Sequence, residues 1–212
     1  MLLRNVRVTN ILKKSRFAAA LFVSLCLLGC VRQQVVHYET DGWREGDLVL
    51  RSGYGVESRA VMTQGSSHYS HVGLLHYDSL KDEWMVVHAV PDERDDGGVD
   101  TIKADPIATF FMPSRAERGA IVRLDVDSAL RHRAAREAIA LVERHVKFDH
   151  DYSWTDTTRL YCTQLVQQCY LKAGVDVAQG RKQRIDAPGY HGDYVFPSDL
   201  LANPRTKVIF MY

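Results

Sequence analysis

Cysteine is scarce in this chain, four among 212 residues, and neither a CxxC pair nor an HExxH stretch is present to suggest a metal site. No apolar run reaches the roughly 20 residues that a membrane-crossing helix needs. Positive charge has no surplus either: 27 Lys and Arg stand against 26 Asp and Glu. Five of the basic residues (Arg4, Arg7, Lys13, Lys14 and Arg16) fall within the acid-free stretch 1–29, and removing them leaves 22 basic against 26 acidic. That balance argues against nucleic-acid binding, which requires cationic surface to replace counterions. There are no repeats, no low-complexity tract and no second domain boundary. What remains, 46% hydrophobic and 25% charged residues, suits one folded domain of ordinary size.

The N-terminus accounts for the charge asymmetry. After Arg16, residues Phe17 to Leu28 form a nearly unbroken apolar run of about 12, too short to span a bilayer comfortably and suited to a signal-peptide core. It closes with Leu27-Leu28-Gly29-Cys30, which resembles the lipobox of bacterial lipoproteins. The expectation is a lipoprotein signal peptide over 1–29, lipidation of Cys30 and a polar tether over 30–42. Val31 in place of Asp after the cysteine points to the outer membrane, with the domain on the periplasmic face. An ordinary cleaved signal and an uncleaved anchor are the competing readings.

The domain proper, 43–212, would then keep two thiols, Cys162 and Cys169. Seven residues apart on a helix, their Cα atoms lie about 10 Å from each other, beyond disulfide reach. Two unbridged thiols in an oxidising compartment are unusual. Either both are inert and buried, or one is kept for chemistry.

Patterning predicts a strand over 47–51, a short helix over 56–64, and an antiparallel hairpin of strands 70–77 and 84–90 about the charged turn 78–83. A glycine- and acid-rich loop over 91–100 precedes an apolar patch at 107–112. Another strand is expected over 119–125. A helix capped by Ser128 runs to Val146, with Leu130, Ala134, Ala138, Leu141 and Val142 on one stripe. A second helix spans about 161–173 and stops at Gly174. Residues 179–193 read as a mobile loop, and Lys207 to Met211 as a last strand. Strands gathered before and after two helices give an α+β class, an antiparallel sheet packed against helices.

Cys162 opens the second helix, where unpaired N–H groups and the helix dipole favour thiolate, the attacking form of the side chain. Its base must come from elsewhere in the chain. If the hairpin pairs Tyr77 with Trp84, Gly73 lies opposite His88, and His71 sits diagonal to His88 on the same face. A slip of one residue separates them. In the first register His88 can hold one nitrogen of His71 and turn the other toward a nucleophile. Taken singly, any of the nine histidines is more often structural, and His68, His71 and His88 leave a zinc site as an alternative. Cys169, beside Tyr170 and Leu171, reads as core.

Four segments in order carry a resemblance: Gly46-Asp47-Leu48-Val49, Ser70-His71-Val72-Gly73-Leu74, Val86-Val87-His88-Ala89 and Tyr161-Cys162-Thr163-Gln164-Leu165-Val166. This succession resembles the YaeF/YiiX group of permuted papain-like amidases, within the NlpC-type cell-wall peptidase superfamily. It spans about 43–174, and Phe196-Pro197-Ser198-Asp199-Leu200 is similar to the family's closing segment. The resemblance implies a permuted papain-like fold with Cys162 as nucleophile, His71 as base and acid, and His88 as the orienting third member, where many members carry Glu. Tyr161 is implied beside the N–H of Cys162 in the oxyanion hole, and Tyr152, in Phe148-Asp149-His150-Asp151-Tyr152, in a wall of the cleft. His71 precedes Cys162, the reverse of the papain order, but a triad depends on geometry rather than chain order. The implied activity is a cofactor-free cysteine amidase or peptidase acting on peptides or peptidoglycan fragments. A lipid acyl hydrolase or acyltransferase and a non-catalytic envelope-binding lipoprotein are the alternatives.

Overall fold

Six antiparallel strands form the sheet on which everything else is mounted. The computed structural model describes residues 38–91, 100–187 and 190–212. The expected signal peptide, Cys30, most of the tether and most of the loop over 91–100 lie outside those residues. Residues Glu39–Tyr212 form one unit.

The sheet comprises β1 (Leu48–Ser52), β2 (His71–Asp78), β3 (Glu83–His88), β4 (Lys103–Pro106), β5 (Arg118–Leu124) and the C-terminal β10 (Thr206–Met211). Their order is β10-β5-β1-β2-β3-β4. Between β1 and β2 comes α1 (Val56–Gln64), which buries none of its residues. The apolar patch after β4 forms one turn of helix, α2 (Ile107–Phe110), with both Ile107 and Phe110 buried.

Alternation along the strands gives the sheet two different faces. Leu48, Leu50, Val72, Leu74, Val87, Ala120 and Val122 pack against α3 (Ser128–Glu143) and α4 (Cys162–Lys172) through Ala134, Ala138, Leu141, Leu165, Val166 and Tyr170. On the opposite face an aromatic network links Trp43, Trp84, Phe111 and Phe210. The helix α3 ends at Glu143 rather than Val146, and Asp127, not Ser128, caps it by accepting from the Ala129 N–H at 2.8 Å. Helix α4 stops as expected at Gly174, whose φ of +90° suits glycine.

The largest departure from expectation lies in residues 179–193. They form a hairpin, β8 (Gln183–Ala187) with β9 (Tyr190–Tyr194), instead of a mobile loop. One arginine, two aspartates, a histidine and a glycine leave these strands without sustained apolar alternation, so periodicity alone reads them as coil. The Pro188-Gly189 dipeptide between them is the one turn signal the sequence offers there. Two further strands, β6 (Lys147–Phe148) and β7 (Arg159–Leu160), are two residues each and pair in parallel. A short helix, α5 (Pro197–Leu201), follows β9, with Asp199 accepting from the Phe196 N–H at 2.7 Å.

The Gly46-Asp47 motif has a structural cause. Gly46 has a φ of +76°, and a Cβ there would stand 2.5 Å from the Arg131 carbonyl oxygen of α3. Its own carbonyl accepts from the Tyr170 hydroxyl of α4 at 2.7 Å. Asp47 is fully buried and receives a forked pair of hydrogen bonds from Arg123 of β5, at 2.8 and 2.7 Å. These contacts tie the start of β1 to both helices and to its neighbour strand. Replacing Asp47 with Ala leaves the Arg123 guanidinium without its carboxylate, with the Gly42 carbonyl as its remaining acceptor. We expect a loss of about 2–4 kcal/mol, read from the urea midpoint, while Tyr170→Phe costs about 1 kcal/mol.

Candidate active site

The β2–β3 hairpin adopts the register that brings its two histidines together. Tyr77 pairs with Trp84 and the ladder runs to Leu74↔Val87. His71 and His88 then share a face, with His71 Nε2 and His88 Nδ1 2.9 Å apart. Gly73 makes this approach possible. A Cβ at Gly73 would come within 2.6 Å of Val86 Cγ1 and 3.0 Å of His88 Cβ.

Neighbouring strands complete the face. Arg51 of β1 pairs opposite His71, and Lys103 of β4 opposite His88. Arg51 is buried, donates to the Phe110 carbonyl at 3.1 Å and lies 4.7 Å from the Phe110 ring centre. That ring in turn stacks on His71 at 5.6 Å and meets His88 edge-on at 5.1 Å. Two residues beyond Lys103, on the same face, Asp105 places Oδ2 3.2 Å from His88 Nε2. Lys103 and Arg115 stand 3.4 and 3.5 Å from that same oxygen. Sequence patterning does not reveal Asp105. Its strand is four residues long and ends in proline, and only the identity of its neighbour, β3, would have pointed to it.

Cys162 arrives from the helix face, as the first residue of α4 after the capping position Tyr161. The Leu75 N–H donates to the carbonyl of Asp47, just before β1, so by strand alternation the Val72 N–H faces away from β1, at the level where the β2–β3 ladder has ended. The Val72 N–H acts on the Cys162 sulfur together with those of Thr163 and Cys162 itself. The sulfur therefore lies beside β2 one residue from His71. Cys162 and His71 line one cavity of about 500 Å³, along with Arg51, Ser70, Arg115, Tyr152 and Tyr161.

Thr163, Gln164 and Asp149 hold the backbone around the cavity. Thr163 donates to the Val195 carbonyl at 2.6 Å, and the Gln164 amide donates to the carbonyls of Ser153, Trp154 and Asp156. Asp149 is buried and accepts from the N–H groups of Asp151 and Ser153, shaping the turn in which Tyr152 takes a φ of +51°. Tyr152 packs on Tyr161 at 5.6 Å and on Tyr190 at 6.1 Å. The Tyr161 hydroxyl is buried without a hydrogen-bond partner, and it lies beside Val195 and Thr163 as well as Cys162. Cys169 sits in the core with its thiol pushed up to about 12 by burial.

Burial dominates the electrostatics of the pair. It pushes the Cys162 thiol up to about 11, and the backbone N–H groups and Arg51 only partly offset it. The helix-end effect expected from sequence is therefore present but outweighed. Burial likewise holds His71 well below its ordinary 6.5, reinforced by the charges of Arg51, His88 and Lys103. His88 is also depressed by burial, with Asp105 opposing. For Asp105 burial pulls upward, but His88 and Lys103 bring the carboxyl down to about 2. The resting arrangement is a neutral thiol, two neutral imidazoles and an ionised carboxylate. Among the described residues no group of three or more His, Cys, Asp or Glu is placed to hold a metal ion.

A family model described as the permuted papain-like amidase enzyme, YaeF/YiiX, matches residues 43–209. Among solved structures, the metalloprotein yiiX from Escherichia coli O157:H7 is similar, with a TM-score of 0.63 and 19% identity over 80% of this chain and 97% of that one. No curated protein matches the sequence. At that identity the likeness carries the fold, which is the permuted papain-like arrangement the motifs implied.

Two expectations follow from the buried neutral groups. His71 and His88 gain protons more readily unfolded than folded, so stability rises with pH through the window below 6.5 and is lost on acidification. Chemical denaturation at successive pH values should show this slope, and the double substitution His71→Gln with His88→Gln should flatten it. In the folded protein a small alkylating reagent should modify Cys162, which lines a cavity, well before the core thiol Cys169. Peptide mapping by mass spectrometry reads the ratio, and equal rates would contradict the placement of the two thiols.

Proposed function

The chain belongs to the permuted papain-like amidase family of the YaeF/YiiX type, and on that premise we propose that it is a cysteine hydrolase with a Cys162-His71-His88 triad. The observation that carries this reading is the short contact of the buried His88 with His71, which lines one cavity with Cys162. With His71 Nε2 engaged by His88, Nδ1 is the nitrogen left to serve the thiol.

The geometry supports the following steps. Cys162 Sγ attacks an amide carbonyl as His71 takes its proton, so that charge separates only as the new bond forms. Backbone N–H groups at the start of α4, that of Cys162 first, face the developing oxyanion. His71 then returns the proton to the departing amine, leaving a thioester. Water, activated by the same imidazole, releases the acid and restores the thiol. A protein held to the envelope through a lipid on Cys30 would meet peptidoglycan stem peptides and other envelope peptides as substrates.

A second reading, hydrolysis or transfer of a lipid acyl group, is favoured by one specific feature. An apolar groove of about 400 Å³ runs between α1 and the β8–β9 hairpin, lined by Val61, Tyr190, Tyr194 and Phe196. It shares Val56, Glu57, Val61 and Tyr152 with the cavity of Cys162. Val56 and Tyr190 remain 86% and 47% exposed, so apolar surface leads directly up to the thiol.

One experiment separates these readings. The full chain in detergent, with its Cys162→Ala variant, is incubated with stem-peptide fragments and with phospholipid vesicles, and products are read by mass spectrometry. Amide cleavage by the native protein alone supports the first reading, and fatty-acid release by it alone supports the second. Identical products from both proteins remove Cys162 as nucleophile, and binding without turnover makes the domain a receptor for envelope ligands.

A further inference from the structure

We infer that Asp105 is a positioning residue that, acting through His88, sets which nitrogen of His71 is free to take the thiol proton. The inference rests on the triad reading above and extends it by a fourth group with no contact to the reacting atoms.

Donors and acceptors along the chain of groups can be counted one by one. His88 is fully buried and has both ring nitrogens engaged, Nδ1 by His71 at 2.9 Å and Nε2 by Asp105 at 3.2 Å. A neutral imidazole has one donor and one acceptor. The carboxylate of Asp105, flanked by the cations Lys103 and Arg115, can only accept. His88 must therefore carry its proton on Nε2 and accept at Nδ1. The donor at that contact is then His71 Nε2–H, and His71 Nδ1 is left with its lone pair. A carboxylate at one end thus determines a tautomer at the other.

The same carboxylate matters once His71 is protonated. The groups facing the histidine pair are Arg51 from β1, Lys103 from β4 and Arg115 from the segment before β5, with the Phe110 ring above. All three side chains are cations and oppose an imidazolium. Asp105 supplies the compensating negative charge. It also has a strand-level reason to be where it is. His88 pairs with Lys103, so Asp105 falls diagonally on the same face, and the Pro106 that follows is tolerated because β4 is the edge strand.

The test uses the full chain with ¹⁵N-labelled histidine and reads the two tautomers directly by long-range ¹H–¹⁵N correlation at neutral pH. The native protein should show Nε2–H forms at both His71 and His88. In Asp105→Asn, whose side-chain amide can donate to His88 Nε2, the pattern should reverse to Nδ1–H at both rings. Alkylation of Cys162 at neutral pH should slow by at least about tenfold, and the pH midpoint of that reaction should move upward. Asp105→Glu, which keeps the carboxylate, should retain the native tautomers and most of the rate. Unchanged tautomers in Asp105→Asn, or an Asp105→Glu variant that behaves like it, would overturn the inference. So would a mere loss of stability with an unmoved pH midpoint. The tautomer measurement needs no substrate, so it stands whether or not hydrolysis is found.

Discussion

The site depends on where the β2–β3 ladder ends. Pairing runs from Asp78↔Glu83 to Leu74↔Val87, and β2 continues past it as Gly73, Val72 and His71 while still paired with β1. Those three residues divide the work between the two faces. His71 joins the histidine pair on one face, Val72 packs under the helices on the other, and the Val72 N–H turns to the Cys162 sulfur. Gly73 keeps the strands close enough for the His71–His88 contact. The helix tip that carries Cys162, 91 positions beyond His71 in the chain, reaches the cavity that His71 lines at the place where β2 has run past its pairing with β3.

Burial then decides the chemistry at rest. Both members of the pair line the cavity but are largely shielded by protein, which disfavours thiolate and imidazolium alike. Helix-end N–H groups and Arg51 act to favour the thiolate, yet the balance stays with the neutral forms. In the proposed reaction, charge separates between thiol and imidazole only as the new bond forms. The carboxylate of Asp105 is the counterweight, placed behind two imidazoles and held ionised by His88 and Lys103.

Much of this arrangement is legible in the amino-acid sequence, and the reasons are local. The charged turn over 78–83 marks the hairpin, and strand alternation brings His71 and His88 to one face in the register that pairs Tyr77 with Trp84, which is the register the structure has. Cys162 at a helix start follows from the helix read over about 161–173 and its stop at Gly174. Asp105 is not legible, because β4 is short, proline-ended and separated from β3 by an acid-rich segment that carries no periodicity. The β8–β9 hairpin escapes for the same reason, since its strands alternate charges and polar groups rather than apolar ones. With it goes the apolar groove that the hairpin forms with α1. The burial that keeps the thiol neutral is a property of the packed cavity, which a helix-end argument does not contain.

The proposed hydrolase chemistry rests on coupling between the Cys162 sulfur and the His71 imidazole, which line one cavity. Its most direct test is the rate of Cys162 alkylation followed across pH in the native protein and in His71→Gln. Coupling predicts that the native profile holds a reactive step on the acid side of free-thiol titration, and that His71→Gln loses this step and keeps only the high-pH rise of an isolated buried thiol. Two superimposable profiles would contradict the account.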